Sequence, residues 1–438
     1  MRKFVRKLER ALTLETIPNA FHQDPLRKED SEFYYGNTMI VRTGNPYDSP
    51  IEDIFNACVE QSDENAFLLL GHRGCGKSTE LNYMSERLEG NGHPVRTIMC
   101  GDLMNLLDPE TDDLLILMAD ALLNIAKDKG VFVDPKTSDT LLRFWREESV
   151  TWKTVDGSKI NIEAGADAEA KLFSLAELSA SLKSKLKFNE ETARVFRGRV
   201  KNNSAEWVAA LENVAARITD KQEGCQPIMI FEDLDKLDPE NAWKVFYGRA
   251  STLAGFSFPV IYTFPIALSY DPKFGTLGGY FTTHTLPMIK LKNIDDSRNQ
   301  AGYDAVLKII KLRADRERLF EENALEWMIQ QTGGSLRDLF RVINDCSRTA
   351  RRRNSRRIEM EDAKLALTKL SGDLTRRFSG DQYKFLKEIY EGNRKDIKDQ
   401  NTLLLMLQAG AVLEYNGERW HNLHPLVAEY LRELGYVQ

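Results

Sequence analysis

The sequence predicts an α/β protein in which helices cover a parallel β-sheet. The first observation is a continuous apolar run, Ala66–Leu70, which stops at a glycine and precedes a helical segment over Glu80–Leu88. A second strand is predicted at Pro94–Met99, so that strand, loop, helix and strand form one βαβ unit. The second observation is that short apolar runs recur at Ile228–Phe231 and Val260–Thr263. Continuous apolar runs, rather than alternating ones, are typical of buried parallel strands.

The other elements follow from periodicity and from signals at helix ends. Ser49–Pro50 predicts a helix start, because proline at the first helical position sacrifices no hydrogen bond. Residues 103–221 are mostly helical in pattern, with a β-hairpin predicted for Val150–Glu163. A further strand is predicted for Leu286–Leu291, and a block of helices for 319–370.

The last part of the chain has the layout of a small winged helix. Helices are expected at Gln382–Tyr390, near Lys395–Gln400 and at Thr402–Gln408, followed by a two-stranded wing and a final helix. The third of these would be the recognition helix if the unit read DNA in the major groove. It is apolar and contains no Lys or Arg, so DNA reading by this helix is not favoured.

Composition sets limits on the class of protein. The chain has 438 residues, 42% hydrophobic and 29% charged, with a formal net charge of −6, which excludes a bulk nucleic-acid binder. The five cysteines are scattered without a C-x-x-C pair, which argues against a disulfide framework and a structural zinc site. The sequence shows neither a secretory signal nor an apolar run of bilayer length. We therefore expect a cytoplasmic protein with no membrane partner.

The strongest chemical motif is a glycine-rich loop between the first strand and its helix. Residues 71–78 read G-x-x-x-x-G-K-S, in which backbone N–H groups cradle phosphate oxygens. The lysine of this motif reaches the β- and γ-phosphates, and the serine hydroxyl ligates Mg²⁺. The following helix directs its positive end at the same charge. The residues predicted to bind a nucleotide are Gly71, Arg73, Gly74, Cys75, Gly76, Lys77, Ser78 and Thr79.

An acidic turn ends the Ile228–Phe231 strand and supplies the second half of a nucleotide site. An NTPase needs one carboxylate in the Mg²⁺ shell and another to polarise the attacking water. We assign Glu232, with Ser78, to the metal and Asp233 to catalysis; the alternative is an acidic turn in solvent. No guanine-specificity motif follows this strand, so ATP with Mg²⁺ is the expected ligand.

With these motifs, the chain resembles AAA+ ATPases and their STAND relatives, the signal-transduction ATPases with numerous domains. The resemblance implies that Thr263 is the sensor-1 residue that orients the hydrolytic water. It also implies that Arg337, within Gly333–Leu339, is the sensor-2 arginine of a helical lid and reaches the γ-phosphate. The alternatives are an ordinary strand-end threonine and an arginine in a surface salt bridge.

Two further matches refine the resemblance. The acidic turn is similar to that of the KAP branch of P-loop ATPases, although Glu232 replaces its first aspartate. Asp233 stands where many AAA+ proteins have glutamate, so hydrolysis is expected to be slow. Leu423–Val427 is similar to the Met-His-Asp-Leu motif of STAND switches, which implies that His424 contacts the β-phosphate. The alternative for this residue is a packed or helix-capping histidine.

The arginine finger of AAA+ rings is missing from its usual place after Thr263. Arg249 of the core could replace it, and so could three arginines in the insertion, although each of the four has the alternative role of a solvated helix charge. The three in the insertion are Arg194, Arg197 and Arg199.

We divide the chain into four regions. They are an N-terminal segment (1–48), a P-loop core (49–318) with an insertion at about 130–220, a helical lid (319–371) and a winged helix (372–438). The expected function is an ATP-binding and hydrolysing switch whose rearrangement or self-assembly controls a partner protein, as in bacterial defence or signalling. The alternative is a DNA-handling AAA+ ATPase, similar to origin-recognition and initiator-loader proteins, with Arg351–Arg357 as its DNA contact. A third reading is a scaffold that binds ATP and barely hydrolyses it.

Overall fold

The structure is a computed structural model that describes most of the chain. The predicted hairpin at Val150–Glu163 and much of the insertion lie outside the described residues. The described residues are 8–36, 38–134, 136–137, 139–141, 190–376, 378–415 and 419–438.

A five-stranded parallel sheet forms the centre of the molecule and confirms the predicted fold class. Its order is β2-β3-β4-β1-β5, so that β4 separates the strand before the glycine-rich loop from the strand before the acidic turn. β1 and β3 are buried along their whole length, as their continuous apolar sequences require. The strands are β1 (Ala66–Gly71), β2 (Val95–Met99), β3 (Ile228–Glu232), β4 (Val260–Pro265) and β5 (Thr282–Thr285).

Helices account for most of the remaining described chain. The predicted start at Ser49 is confirmed, because its side chain accepts a hydrogen bond from the Glu52 amide. The α-helices are α1 (Ile17–Ala20), α2 (Thr38–Thr43), α3 (Pro50–Glu60), α4 (Lys77–Gly90), α5 (Cys100–Leu103), α6 (Thr111–Asp128), α7 (Glu190–Asn202), α8 (Ser204–Lys221), α9 (Pro239–Phe246), α10 (Ala250–Ala254), α11 (Phe274–Leu277), α12 (Gln300–Arg313), α13 (Arg316–Leu319), α14 (Glu322–Gln331), α15 (Leu336–Arg352), α16 (Met360–Thr375), α17 (Gly380–Tyr390), α18 (Gln400–Ala409) and α19 (Pro425–Glu433).

The sheet is covered on both faces, and a second helical layer packs beside it. α6, α7, α8 and α9 share one core with Phe231 and Tyr262 of the sheet. α3 and α4 cover the other face, where Phe67 and Leu69 are buried. Helices α12 to α16 form a separate core with the N-terminal segment, in which the Phe21 ring packs edge-on against Phe340, with centroids 5.4 Å apart. Among the described residues, no helix combines the length and apolar character needed to cross a membrane.

The strand predicted for Leu286–Leu291 is wrong, because the strand lies immediately before it at β5. The Leu286 amide makes one more hydrogen bond to the Leu70 carbonyl, and the chain then leaves the sheet. Leu286 and Met288 pack in the core of the sheet, whereas Ile289 and Leu291 pack among the helices α12 to α16. The segment is apolar because it passes between two cores, which gives it the composition of a strand without a strand's pairing.

In the C-terminal region, the described residues 378–415 and 419–438 form three helices and one hairpin. β6 (Val412–Tyr415) and β7 (Trp420–Leu423) pair antiparallel, between α18 and α19. The helix predicted near Lys395–Gln400 is wrong, since residues 391–399 contain turns, bends and irregular backbone but no helix. The reason is tertiary: the buried Arg394 guanidinium is bonded to the Ile294 carbonyl and the Asp296 carboxylate, which fixes this segment in an irregular conformation.

Replacing Gly334 should destabilise the fold strongly. Gly334 has a φ of +88°, and a β-carbon there would collide with the Ile289 carbonyl. The left-handed conformation alone costs about 1–3 kcal/mol for other residues, so the Gly334→Ala variant should lose at least this much free energy of unfolding. Gly372→Ala is the matched control, because a β-carbon at this position on α16 meets no atom within 4 Å. Urea unfolding of both variants tests the prediction, and equal unfolding free energies would contradict it.

Candidate functional site

The glycine-rich loop connects β1 to α4 and is packed tightly on both sides. A β-carbon at Gly74 would lie 2.7 Å from the Arg337 Cβ, so the loop lies directly against the start of α15. A β-carbon at Gly71 would lie 2.7 Å from the Leu286 carbonyl oxygen. The loop therefore has the strand-to-helix context that phosphate binding by backbone N–H groups requires.

Lys77 begins α4 and is buried beneath this loop. Its Nζ donates hydrogen bonds to the carbonyl oxygens of Gly71, at 2.6 Å, and His72, at 3.1 Å. It also forms an ion pair with Asp235, with 2.9 Å between Nζ and Oδ2. Burial by itself would lower the pKa of Lys77, but the Asp235 carboxylate outweighs burial and raises that pKa above its ordinary value.

Glu232 ends β3 beside Ser78 and has the character of a metal ligand. It is 1% exposed, and its Oε1 has no hydrogen-bond partner among the described residues. Burial raises its pKa to about 7, aided by the charges of Asp235 and Asp233, while a hydrogen bond from Ser78 opposes this rise. A hydroxyl beside an unpartnered carboxylate oxygen suits a hard cation such as Mg²⁺.

Asp233 follows Glu232, but its side chain contacts different residues. The residue has a φ of +72°, in the left-handed region, and its carboxylate forms an ion pair with Lys236. A β-carbon added to Gly101, just after β2, would lie 2.6 Å from Asp233 Oδ2. The Asp233 carboxylate is therefore on the β2 side of β3, although it lines the same cavity as Lys77.

Thr263 lies in β4, between the two strands that carry the motifs. Its Oγ1 accepts a hydrogen bond from the Leu234 amide, at 3.1 Å, and donates one to the Phe231 carbonyl, at 3.3 Å. The hydroxyl is thus bonded to the backbone on both sides of the acidic turn and fixes its conformation. The predicted contact between Thr263 and a hydrolytic water stays a prediction.

Arg337 lies in the first turn of α15, beside the glycine-rich loop. Ser335 caps this helix by accepting a hydrogen bond from the Asp338 amide, at 3.3 Å. Arg337 lines two cavities that adjoin the loop. The position agrees with a side chain that reaches a nucleotide phosphate, which remains a prediction.

The N-terminal segment also contributes to the site. The sequence did not predict this contribution. Arg42 is 1% exposed and donates hydrogen bonds to the carbonyl oxygens of Cys75, at 2.7 Å, and Pro287, at 2.6 Å. The Tyr34 hydroxyl donates to Glu80 of α4, at 2.7 Å. The one available signal was Glu80 itself, since an acidic residue on the buried face of a helix requires a partner.

A cavity of about 330 Å³ lies between the glycine-rich loop, the N-terminal segment, α12 and α15. Its volume is within the range of small-molecule sites. Lys77, Ser78 and Arg337 line it on the loop side, and Tyr34 and Arg313 line it on the opposite side. The cavity therefore joins the predicted phosphate-binding groups to Tyr34 of the N-terminal segment and Arg313 of α12.

The C-terminal hairpin is bonded directly to the glycine-rich loop. The Glu414 amide in β6 donates a 2.7 Å hydrogen bond to Nε2 of His72. Burial and then the Lys77 charge lower the pKa of His72 to about 3, so the imidazole is neutral and can accept. In addition, the Tyr415 hydroxyl donates to the Gly333 carbonyl, at 2.9 Å, which ties the hairpin to the segment before α15.

His424 has the capping role that was the alternative for it. Its Nδ1 accepts a hydrogen bond from the Leu426 amide at the start of α19, at 3.3 Å. The residue is 1% exposed, and its Nε2 has no hydrogen-bond partner among the described residues. It lines a cavity of about 200 Å³ together with Arg73 and Arg337. Its predicted contact with a β-phosphate stays a prediction.

Two of the arginines considered as arginine fingers are engaged within the chain. Arg249 forms an ion pair with Asp112 of α6. Arg197 pairs with Asp113, at 2.7 Å. Both therefore stabilise the packing of the insertion and its neighbours against α6, and neither extends freely from the surface.

Solved structures resemble the chain over nearly its whole length, whereas no protein-family model and no curated protein sequence matches it. The Walker-type ATPase PABY2304 of Pyrococcus abyssi is 15% identical, with 94% of this chain and 99% of that chain covered and a TM-score of 0.45. The Aeropyrum pernix ORC2 protein is 11% identical, with coverages of 95% and 98% and a TM-score of 0.41. Cdc6p from Pyrobaculum aerophilum is 12% identical, with coverages of 92% and 98% and a TM-score of 0.37. At these scores the similarity assigns no activity to this chain.

Removing the Thr263 hydroxyl should loosen the acidic turn. The Thr263→Val variant leaves the Leu234 amide and the Phe231 carbonyl without their partner in a buried position. A buried polar group left without its partner costs about 1–3 kcal/mol, so the free energy of unfolding should fall by this amount relative to Thr263→Ser. The serine variant retains the hydroxyl and is the matched control. Urea unfolding measures the difference, and equal stability of the two variants would contradict the role given to the hydroxyl.

Proposed function

We propose that the protein is an ATP-binding and hydrolysing molecular switch of the AAA+ class, with STAND-type regulation. The observation that carries the proposal is the hydrogen bond between His72, inside the glycine-rich loop, and the Glu414 amide in the C-terminal hairpin. Because His72 belongs to the loop, a bound phosphate that changes the loop conformation would also change this hydrogen bond. The nucleotide site and the C-terminal region are therefore mechanically connected.

The nucleotide in this proposal is ATP, bound with Mg²⁺. The loop N–H groups and Lys77 bind the phosphates, and Lys77 exchanges its ion pair with Asp235 for the β- and γ-phosphates. Ser78 and Glu232 would hold Mg²⁺, which supplies positive charge to the phosphate oxygens when it is bound. A carboxylate of the acidic turn polarises the attacking water, and Arg337 approaches the γ-phosphate from α15.

The proposed domains follow the same logic. Residues 49–318 form the P-loop core, 319–371 the lid and 372–438 a winged helix that acts as a latch rather than a DNA reader. The apolar α18 supports this role, since Leu403, Met406 and Leu407 are buried in the core of the C-terminal region. The output of the switch is a change in contacts with a partner protein or with a second copy of the chain, in the cytoplasm.

Binding of ATP should release the hairpin from the loop. We expect amide hydrogen exchange in Val412–Tyr415 to be at least tenfold faster with ATP than with ADP. The physical reason is that Lys77 and the loop amides turn towards the γ-phosphate and displace His72 from Glu414. Exchange followed by mass spectrometry on the full chain measures this effect. Lys77→Ala, which removes the ammonium but keeps the glycines, is the control and should give the same exchange in all nucleotide states.

Equal exchange with ATP and ADP in the wild type would contradict the switch. If calorimetry shows that the wild type binds both nucleotides, the result would instead favour a scaffold that is stabilised by nucleotide. Solution mass measured with ATP, with ADP and without nucleotide separates rearrangement from self-assembly.

The second candidate function, a DNA-handling AAA+ ATPase, is favoured by one feature of α15. Arg352, the last residue of this helix, and Arg356, in the bend that follows it, are exposed and could contact phosphates. The neighbouring Arg353 is neutralised by carboxylates that include Asp362, at 2.7 Å. The arginine-rich segment therefore presents less free positive charge than its sequence indicates.

Binding to non-specific duplex DNA distinguishes the two candidates. We expect dissociation constants no tighter than roughly 10⁻⁶ M at physiological salt, which is the range of non-specific binding. The double variant Arg352→Ala, Arg356→Ala should bind equally weakly. Arg348→Ala on the same helix, whose guanidinium is paired with Asp345, controls for loss of charge. Submicromolar binding that falls steeply with salt and is lost only in the double variant would favour the DNA-handling ATPase.

A further inference from the structure

The three carboxylates of the acidic turn contact three different side chains. Glu232 is hydrogen-bonded by Ser78, Asp233 pairs with Lys236, and Asp235 pairs with Lys77. Only one of these carboxylates is thus in contact with the group that reaches the β- and γ-phosphates of a nucleotide. Asp235 is therefore the carboxylate of the turn that directly contacts a predicted phosphate-binding side chain.

Asp233 lies on the β2 side of the cavity that it shares with Lys77. The glycine-rich loop follows β1, and β4 lies between β1 and β3. The Asp233 carboxylate is on the opposite side of β3, against Gly101 at the end of β2. Its positive φ and its ion pair with Lys236 hold it in that direction.

Asp235 has the opposite orientation. Its Oδ2 lies 2.9 Å from Lys77 Nζ, and the residue lines both cavities that adjoin the loop. Arg73 and Arg337 line one of these cavities with it, and Lys77 contacts its carboxylate directly. These are the groups that would surround a γ-phosphate.

The turn that directs Asp235 towards Lys77 is fixed from β4. Residues Leu234–Lys236 form one turn of 3₁₀ helix, and the Leu234 amide is bonded to Thr263 Oγ1 at 3.1 Å. Thr263 is in this way a positioning residue, because it acts through Asp235 rather than on the substrate.

We infer that Asp235, rather than Asp233, is the catalytic carboxylate that orients and deprotonates the attacking water. This inference rests on the proposed ATPase function. When ATP occupies the site, Lys77 moves to the phosphates and leaves Asp235 as an acceptor for the water. The water oxygen forms a bond to the γ-phosphorus while the bond from phosphorus to the β–γ bridging oxygen breaks. The electron pair leaves with ADP, and the water proton passes to Asp235.

Paired substitutions on the full chain test the assignment. We expect Asp235→Asn to lower single-turnover ATP hydrolysis by about 100-fold or more, the usual contribution of a positioned base. Its affinity for ATP, measured by calorimetry, should be unchanged or tighter, since a competing partner of Lys77 is removed. Asp233→Asn should lose less than tenfold in rate. Asp220→Asn, at an exposed position on α8, is the surface control.

Asp235→Glu keeps the charge opposite Lys77 but displaces the carboxylate, so it should retain thermal stability and lose at least tenfold in rate. Wild-type rates in Asp235→Asn or Asp235→Glu would overturn the assignment, and so would a large loss confined to Asp233→Asn. A loss of ATP affinity in parallel with the rate would also overturn it, because that pattern describes an ion-pair partner only. If the wild type itself binds no ATP or does not hydrolyse it, the proposed function fails and the assignment fails with it.

Discussion

The buried ion pair between Lys77 and Asp235 is the interaction around which the rest of the site is arranged. It joins the ends of β1 and β3 across the intervening β4, with 2.9 Å between the charged atoms. Neither charge could remain in this position alone, because an uncompensated buried charge is strongly destabilising. The pair therefore requires the strand order, the 3₁₀ turn after β3 and the bonds from Thr263 that fix this turn.

The glycine-rich loop is surrounded by parts of the chain that are distant in sequence. Arg42 holds it through the Cys75 carbonyl, Arg337 packs against Gly74, and His72 accepts the Glu414 amide. Each contact uses the loop backbone or a side chain next to it, so the loop cannot change conformation without altering all three. A ligand with the charge of a triphosphate would compete directly with Asp235 for Lys77, and its binding would be transmitted to the N-terminal segment, α15 and the hairpin.

Local patterns predicted the sheet and the phosphate loop because both depend on residues that are adjacent in sequence. The strands β1, β3 and β4 are buried along their whole length, so their apolar runs are unambiguous. Leu286–Leu291 has the same composition for another reason, namely burial between two cores, and Arg394 enforces turns where periodicity predicted a helix. The bond from Glu414 to His72 spans 342 positions and leaves no local signal. Contacts of this kind depend on tertiary packing, which periodicity does not encode.

The acidic turn shows why a correct motif leaves the roles of its members open. Spacing places Glu232, Asp233 and Asp235 together, and a regular strand would direct the first two to opposite faces of the sheet. The positive φ of Asp233 breaks this alternation and turns its carboxylate towards Gly101 and Lys236. The same break lets the following 3₁₀ turn carry Asp235 back to Lys77. A single backbone angle thus determines which carboxylate faces the phosphate loop, and a non-glycine residue in this conformation gives no sign of it in the sequence.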